Sequence, residues 1–421
     1  MKQTAAAPAA ARDPSQIAAR FARTRARSRA LAAPLTPEDM MLQSMEDASP
    51  AKWHLAHTTW FFEEFILKPR LPGYRSPDDR FALLFNSYYV QAGPRHARDK
   101  RGLISRPGLD DVWAYRAQVD DGIAALMQAG RDDLDQIAAL VELGCHHEMQ
   151  HQELLVTDLL HGLSHNPLLP AYRDPAPKPV SQERPLSFTR HDGGLVEIGH
   201  DPGDPAFAYD CEGPRHRVFL EPFALADRPV TNRDWIAFMD DGGYRTPTLW
   251  LMDGFAACEA ASWDRPLYWW RQDDEWWTFT LRGAQPVNLD APAVHVSYYE
   301  ADAFARWAGA RLPTEAEWEH ACAGVAIEGN FLDAREFRPL PGGGLWGDVW
   351  EWTQSPFTPY PGFRPPEGAI GEYNGKFMVN QFVLRGGSCA TPVEQMRESY
   401  RTFFHPHQRW QMLGLRLARD A

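Results

Sequence analysis

Gly144-Cys145-His146-His147-Glu148-Met149-Gln150-His151-Gln152-Glu153-Leu154-Leu155 is the stretch on which the reading of this chain turns. It lies inside a longer run, Leu134 to Leu160, where Leu134, Ile137, Leu140, Val141, Leu155, Leu159 and Leu160 recur at three- and four-residue steps without an intervening proline. That period predicts a single helix. On a helix, residues four apart share a face, so His147 and His151 aim two imidazoles at one point, as a metal site requires. Histidine pairs also occur on solvated helix faces, so the motif alone does not make a site. A second cluster lies far upstream, where His54 and His57 sit three apart among Trp53, Trp60, Phe61 and Phe62. Aromatic neighbours turn at least one of them inward. A core histidine held by a hydrogen bond would look the same.

The 421 residues suffice for two or three domains. A formal charge of −13 argues against a general nucleic-acid or anionic-membrane surface and favours small-molecule chemistry. Five cysteines without a CxxC pair cannot complete a disulfide framework, which fits a reducing cytoplasm. No run approaches the roughly 18 apolar residues of a membrane span. Residues 1–13 read as a disordered Ala/Pro-rich tail without the apolar core of a secretory signal. The arginines between Arg20 and Arg29 read as the wet face of a first helix.

The predicted organisation is a helical bundle over residues 14–165, a proline-rich linker over 166–185 and an α+β domain over 186–421. Helices are expected at about 15–32, after the Thr36-Pro37 cap, after Ser49-Pro50, at 109–127 and at 133–161. Between them Tyr88 and Tyr89 lead into a basic loop, Gly93 to Arg101. Such a loop suits a carboxylate, because guanidinium pairs with it bidentately, but it equally suits a solvated surface. Past the linker come short strands at 195–199 and 217–220, a helix capped at Thr231-Asn232, and helices at 297–309 and 314–323.

His147-Glu148-Met149-Gln150-His151 formally matches H-E-x-x-H, in which two histidines bind zinc and the glutamate is the general base of a peptidase. The extension with a glycine and third histidine is absent, and the next candidate ligand, His57, lies upstream on another helix. Three neutral histidines leave open metal positions. Zinc there favours hydrolysis, iron(II) permits oxygen activation, and residue types do not choose between them. A third reading makes the chain a ligand-binding module with Trp250, Trp263, Trp269, Trp270, Trp276 and Trp277 as its recognition surface.

Asp47 to Phe61, Phe85-Asn86-Ser87-Tyr88-Tyr89, His147 to His151, Gly347-Asp348-Val349-Trp350-Glu351-Trp352-Thr353 and Arg385 to Pro392 together resemble the iron(II)-dependent sulfoxide synthases of ergothioneine biosynthesis. The resemblance spans nearly the whole chain, with motifs of both domains in order. It implies a DinB-like four-helix bundle joined to a C-type-lectin-like domain of the formylglycine-generating-enzyme fold, with the active site between them. It implies Fe(II) on His57, His147 and His151, and Gln150 against hercynine (Nα-trimethylhistidine). It implies a catalytic role for Tyr88 or Tyr89, carboxylate binding by Arg95 and Arg98, and packing or supporting roles for His54 and His146. The substrates would be hercynine, O2 and a thiol such as cysteine, joined oxidatively to a sulfoxide. The family pattern Tyr-Arg-Asn-Phe-Phe appears here as Tyr400-Arg401-Thr402-Phe403-Phe404, so Thr402 and Phe403 stand at substrate-binding positions with the asparagine changed. A related group joins a selenosugar to hercynine as selenoneine synthases, and the donor, thiol or selenol, stays open.

Overall fold

The computed structural model describes residues 13–175, 177, 180 and 183–421. The expected tail lies outside these residues apart from Asp13, as does part of the expected linker. Asp13 is a helix cap: its Oδ1 accepts from Ser15 N at 2.9 Å, and Pro14 opens α1, Pro14–Ala32. The expected helix after Thr36-Pro37 is only a 3-10 turn, Asp39–Met41. Thr36 and Asp39 satisfy each other's backbone N–H at 3.0 and 3.2 Å, and no apolar period follows to carry the helix on.

The bundle is completed by α2, Ala51–Phe62, α3, Leu109–Gln128, and α4, Leu134–Ser164. All twelve residues of α2 are buried. It packs against both α3 and α4 while α1 lies along α4, so α2 has no solvent side and its histidines have nowhere to point but inward. Gly144 on α4 sets the spacing. A Cβ there would meet the Phe62 ring at 2.4 Å, so any side chain would push α4 away from α2 just before the paired histidines.

The second half is α+β. Strands β1, Phe188–His191, β2, Gly194–Ile198, β3, His216–Leu220, and β4, Phe223–Ala226, precede helices α5, Asn232–Asp240, and α6, Met252–Ala260. Strands β5, Trp269–Gln272, β6, Glu275–Thr280, and β7, Gly283–Pro286, form an antiparallel meander. Helices α7, Tyr298–Trp307, and α8, Glu315–Cys322, precede β8, Trp350–Pro356, β9, Phe382–Arg385, β10, Thr402–Phe404, β11, Leu413–Gly414, and β12, Ala418–Asp420. The sheet orders are β1-β4-β12, β2-β3 and β10-β9-β8-β11, where β11 runs parallel to β8. Helices α5, α7 and α8 start at Thr231, Ser297 and Thr314, whose hydroxyls each accept a backbone N–H three residues on.

The six tryptophans proposed as a recognition surface are buried or half-buried. Trp250 and Trp269 belong to the core, and the ligand-binding-module reading loses its exposed aromatic patch. All five cysteines are buried and unpaired. Among the described residues no helix is long and apolar enough to cross a membrane.

The domains meet along α4. Glu153 accepts from the Trp350 indole at 2.6 Å, Ser388 Oγ at 3.0 Å and Thr391 Oγ1 at 2.9 Å. His146 stacks on Phe207 with ring centroids 3.9 Å apart, and its Nδ1 stands 2.9 Å from Gln395 Oε1. His146 is therefore a docking group. The cleft that remains between the domains encloses about 300 Å³.

Candidate metal centre

At the floor of this cleft stand His147 and His151 of α4, with His57 of α2 fully buried beneath them; one ring nitrogen from each lies within 4.8 Å of the others. His57 Nδ1 donates to Phe85 O at 2.6 Å, which fixes the proton there and leaves Nε2 with its lone pair. That nitrogen stands 3.2 Å from His147 Nε2. Two nitrogens sharing a metal at 2.0–2.1 Å each would be roughly 2.9–3.4 Å apart for angles between octahedral and tetrahedral. The donor set thus fits a metal of the zinc or iron(II) type. Burial pushes His57 and His151 well below the ordinary histidine range and His147 to about 3, with mutual repulsion adding to the effect at His57 and His151. All three are neutral at pH 7, the form that ligates.

Glu148 belongs to another cluster. Its carboxylate accepts from Arg25 at 2.8 Å, Arg116 at 2.8 Å and Ser28 at 2.5 Å inside the bundle. Burial alone would raise its pKa. The two guanidinium groups outweigh that and hold it at about 2. A carboxylate held by three donors at a pKa of about 2 has little basicity for activating water, and it does not line the cleft. The peptidase reading loses its general base.

The tyrosine pair divides. Tyr88 lines the cleft, while Tyr89, fully buried, packs behind it against Trp60 and Phe65. The Tyr88 hydroxyl donates to the Tyr89 oxygen at 3.4 Å, and burial raises both pKa values, so both are neutral phenols. Gln150 lines the cleft between two further phenols: its Oε1 accepts from Tyr373 at 2.6 Å, and its Nε2 donates to Tyr400 at 3.0 Å. Thr402 and Phe403 form part of the opposite wall.

The basic loop is sorted by burial. Arg95 is exposed and does not line the cleft. Arg98 sits at the rim, bonded to the Asp47 carbonyl and 3.8 Å from its carboxylate. Arg101, only 5% exposed, enters the cleft. Its guanidinium lies 3.4 Å over the Trp53 ring, which itself stacks on His57 at 4.6 Å. It donates to Ser49 Oγ at 3.0 Å and Ser87 Oγ at 3.4 Å, and its Nε has no partner. With no carboxylate bonded to it, burial pulls its pKa down to about 9. Arg101 and Tyr373, whose ring lies 5.6 Å from that of His147, are among the site residues that sequence reasoning did not single out, with Phe377, Asp158 and Trp410. The three loop arginines are alike in composition, and only the place of Arg101 over the Trp53 ring separates it.

These features define a protein in which a DinB-type bundle and an α+β domain enclose one histidine-floored cleft. The chain matches the DinB superfamily over residues 20–155 and the Sulfatase-modifying factor enzyme 1-like domain over residues 174–340 and 343–421. It is 32% identical to hercynine oxygenase of Mycobacterium tuberculosis, covering 97% of this chain and 99% of that protein. Hercynine oxygenase of Mycolicibacterium thermoresistibile is 34% identical over 88% of this chain and 87% of its own. The formylglycine-generating enzyme of Streptomyces coelicolor is 30% identical over 61% of this chain and 95% of its own. The chain belongs to the hercynine oxygenase family, the sulfoxide synthases of ergothioneine biosynthesis.

Proposed function

We propose that this protein is an iron(II)- and O2-dependent oxidoreductase that joins hercynine to a carboxylate-bearing thiol, forming a C–S bond and a sulfoxide. The observation that carries the reading is the triad of neutral, buried histidine nitrogens, two of them on residues that line a cleft holding an arginine with no carboxylate bonded to it. Iron(II) held by His57, His147 and His151 would supply oxygen activation and a Lewis acid for the thiolate.

The rest of the chemistry belongs to the chain. Arg101 supplies the cationic anchor for the donor's carboxylate, since a buried guanidinium with no carboxylate bonded to it is stabilised by an incoming anion. That favours cysteine or γ-glutamylcysteine over a selenosugar. Gln150, fixed by two phenols, presents an orientation already set for the imidazole partner, and Tyr373, Phe377 and Tyr400 offer aromatic faces for a quaternary ammonium. Tyr88, on the cleft wall with its pKa raised, brings a protonated hydroxyl to the cleft that can turn from the long contact with Tyr89 to donate to a bound reactant.

The test is anaerobic reconstitution with iron(II), then oxygen uptake and product mass with hercynine plus cysteine, γ-glutamylcysteine or a selenosugar, with zinc-loaded protein as control. Iron-dependent uptake that requires both hercynine and a carboxylate-bearing thiol is expected. No hercynine-dependent product with any donor sinks the reading.

A further inference from the structure

Beside His151, along one side of the cleft, runs a line of buried polar groups that metal ligation alone does not call for. His54 Nδ1 stands 2.9 Å from His151 Nδ1, and His54 Nε2 stands 3.1 Å from Asp158 Oδ2. That oxygen also accepts from Ser49 N at 2.8 Å, while Asp158 Oδ1 accepts from the Trp410 indole at 3.0 Å. His54, Asp158 and Trp410 are all buried.

One proton per imidazole satisfies the whole line in a single way. A carboxylate only accepts, so His54 Nε2 carries the proton. Its Nδ1 is then a lone pair, and the donor in the short contact is His151 Nδ1–H. This leaves Nε2 as the only lone pair on His151. The three ligands are thus supported differently: His57 by a backbone carbonyl, His151 by a histidine backed by a carboxylate, and His147 by nothing, its Nδ1 being buried without a partner.

We propose that His54 and Asp158 are positioning residues that fix His151 as an Nε2 ligand and strengthen it as a donor, and that Trp410 makes this support depend on docking of the second domain. The inference rests on the metal reading above. An imidazole N–H held by a hydrogen-bonded carboxylate line in a low-dielectric interior gains donor strength at its other nitrogen. The last link comes from beyond β10, in the other domain, so the bundle alone would hold the ligand less well.

The experiment uses the full chain, metal-free, titrated anaerobically with cobalt(II) against a chelating competitor while the visible absorption is recorded. His54→Phe and Asp158→Asn are expected to bind cobalt about 10- to 100-fold more weakly, the range for outer partners of metal ligands. Their absorption bands should shift, and Trp410→Phe should show a smaller loss of the same kind. Asp158→Asn keeps volume and shape, so it carries the test should His54→Phe fold poorly. Wild-type affinity and spectrum in folded Asp158→Asn, even with a lowered melting temperature, would overturn the relay and make His54 a packing residue. Wild-type protein that binds no cobalt, or whose binding survives His147→Ala, would instead sink the metal reading itself.

Discussion

His147 and Glu148 are neighbours in sequence and opposites in physical situation. Glu148 is bonded by Arg25, Arg116 and Ser28 and held at about 2. His147 has one ring nitrogen without a partner and the other facing His57 at 3.2 Å, and burial drives it to about 3. Both are buried and polar, but the interior compensates only one of them. A group whose bonding capacity is filled by the fold is part of the fold, whereas one left neutral and incomplete in an expensive environment is waiting for a ligand.

The contrast breaks most visibly at the histidines. His147→Ala should lower metal affinity by more than about 100-fold, beyond the range of outer-partner changes, and abolish hercynine-dependent oxygen uptake. Metal titration of the purified variant checks this, and undiminished affinity would show that the triad is only core. Glu148→Gln should do the reverse. Leaving the buried Arg116 without a carboxylate, and Arg25 with Asp120 alone, costs about 3–5 kcal/mol, read as a lower urea midpoint of the metal-free protein. Full stability with lost turnover would restore Glu148 as a chemical group and end the distinction.

Arg101 extends the comparison to a cation whose counter-ion the fold does not bind to it. Arg101→Gln should raise KM for carboxylate-bearing thiols about 10- to 100-fold, the worth of a hydrogen bond to a charged group, with little change in KM for hercynine. Cysteamine, which lacks the carboxylate, should react alike with both proteins, and Arg95→Gln should behave as wild type. Equal losses for cysteine and cysteamine would assign Arg101 to packing on Trp53.

The smallest effect concerns a half-compensated carboxyl. Asp348 accepts from Asn330 Nδ2 at 2.7 Å and Leu340 N at 2.9 Å but has no cation, and burial raises it from 3.8 to about 6. Because its folded pKa is the higher one, its contribution is complete below 3.8 and is lost as pH rises through about 6. Asp348→Asn keeps an acceptor and suits the left-handed backbone there, φ 60°. Its stability, followed by urea unfolding between pH 4 and 7, should lack the part of the wild-type decline that comes from Asp348. Parallel curves for the two proteins would count against the raised value.

Much of this was legible in the chain. The apolar period of Leu134 to Leu160, the i, i+4 histidines and the caps at Thr231, Ser297 and Thr314 are local, and each element formed within a few residues of its expected place. What depended on the partner surface was not. Tyr88 and Tyr89 are identical side chains in adjacent positions, and only the cleft separates them. Arg95, Arg98 and Arg101 differ by burial that no loop sequence encodes. The H-E-x-x-H pattern shows a glutamate beside a histidine but not the two arginines, from α1 and α3, that claim it.

One consequence of α2 remains. A helix with twelve successive buried residues has no position where mutations can accumulate unnoticed. Among homologues its letters should drift slowly whether they handle chemistry or only fill space, so invariance along 51–62 would rank Trp60 beside His57. Telling reactive groups from filler in that helix takes titrations of purified variants, because selection on this segment does not distinguish the two.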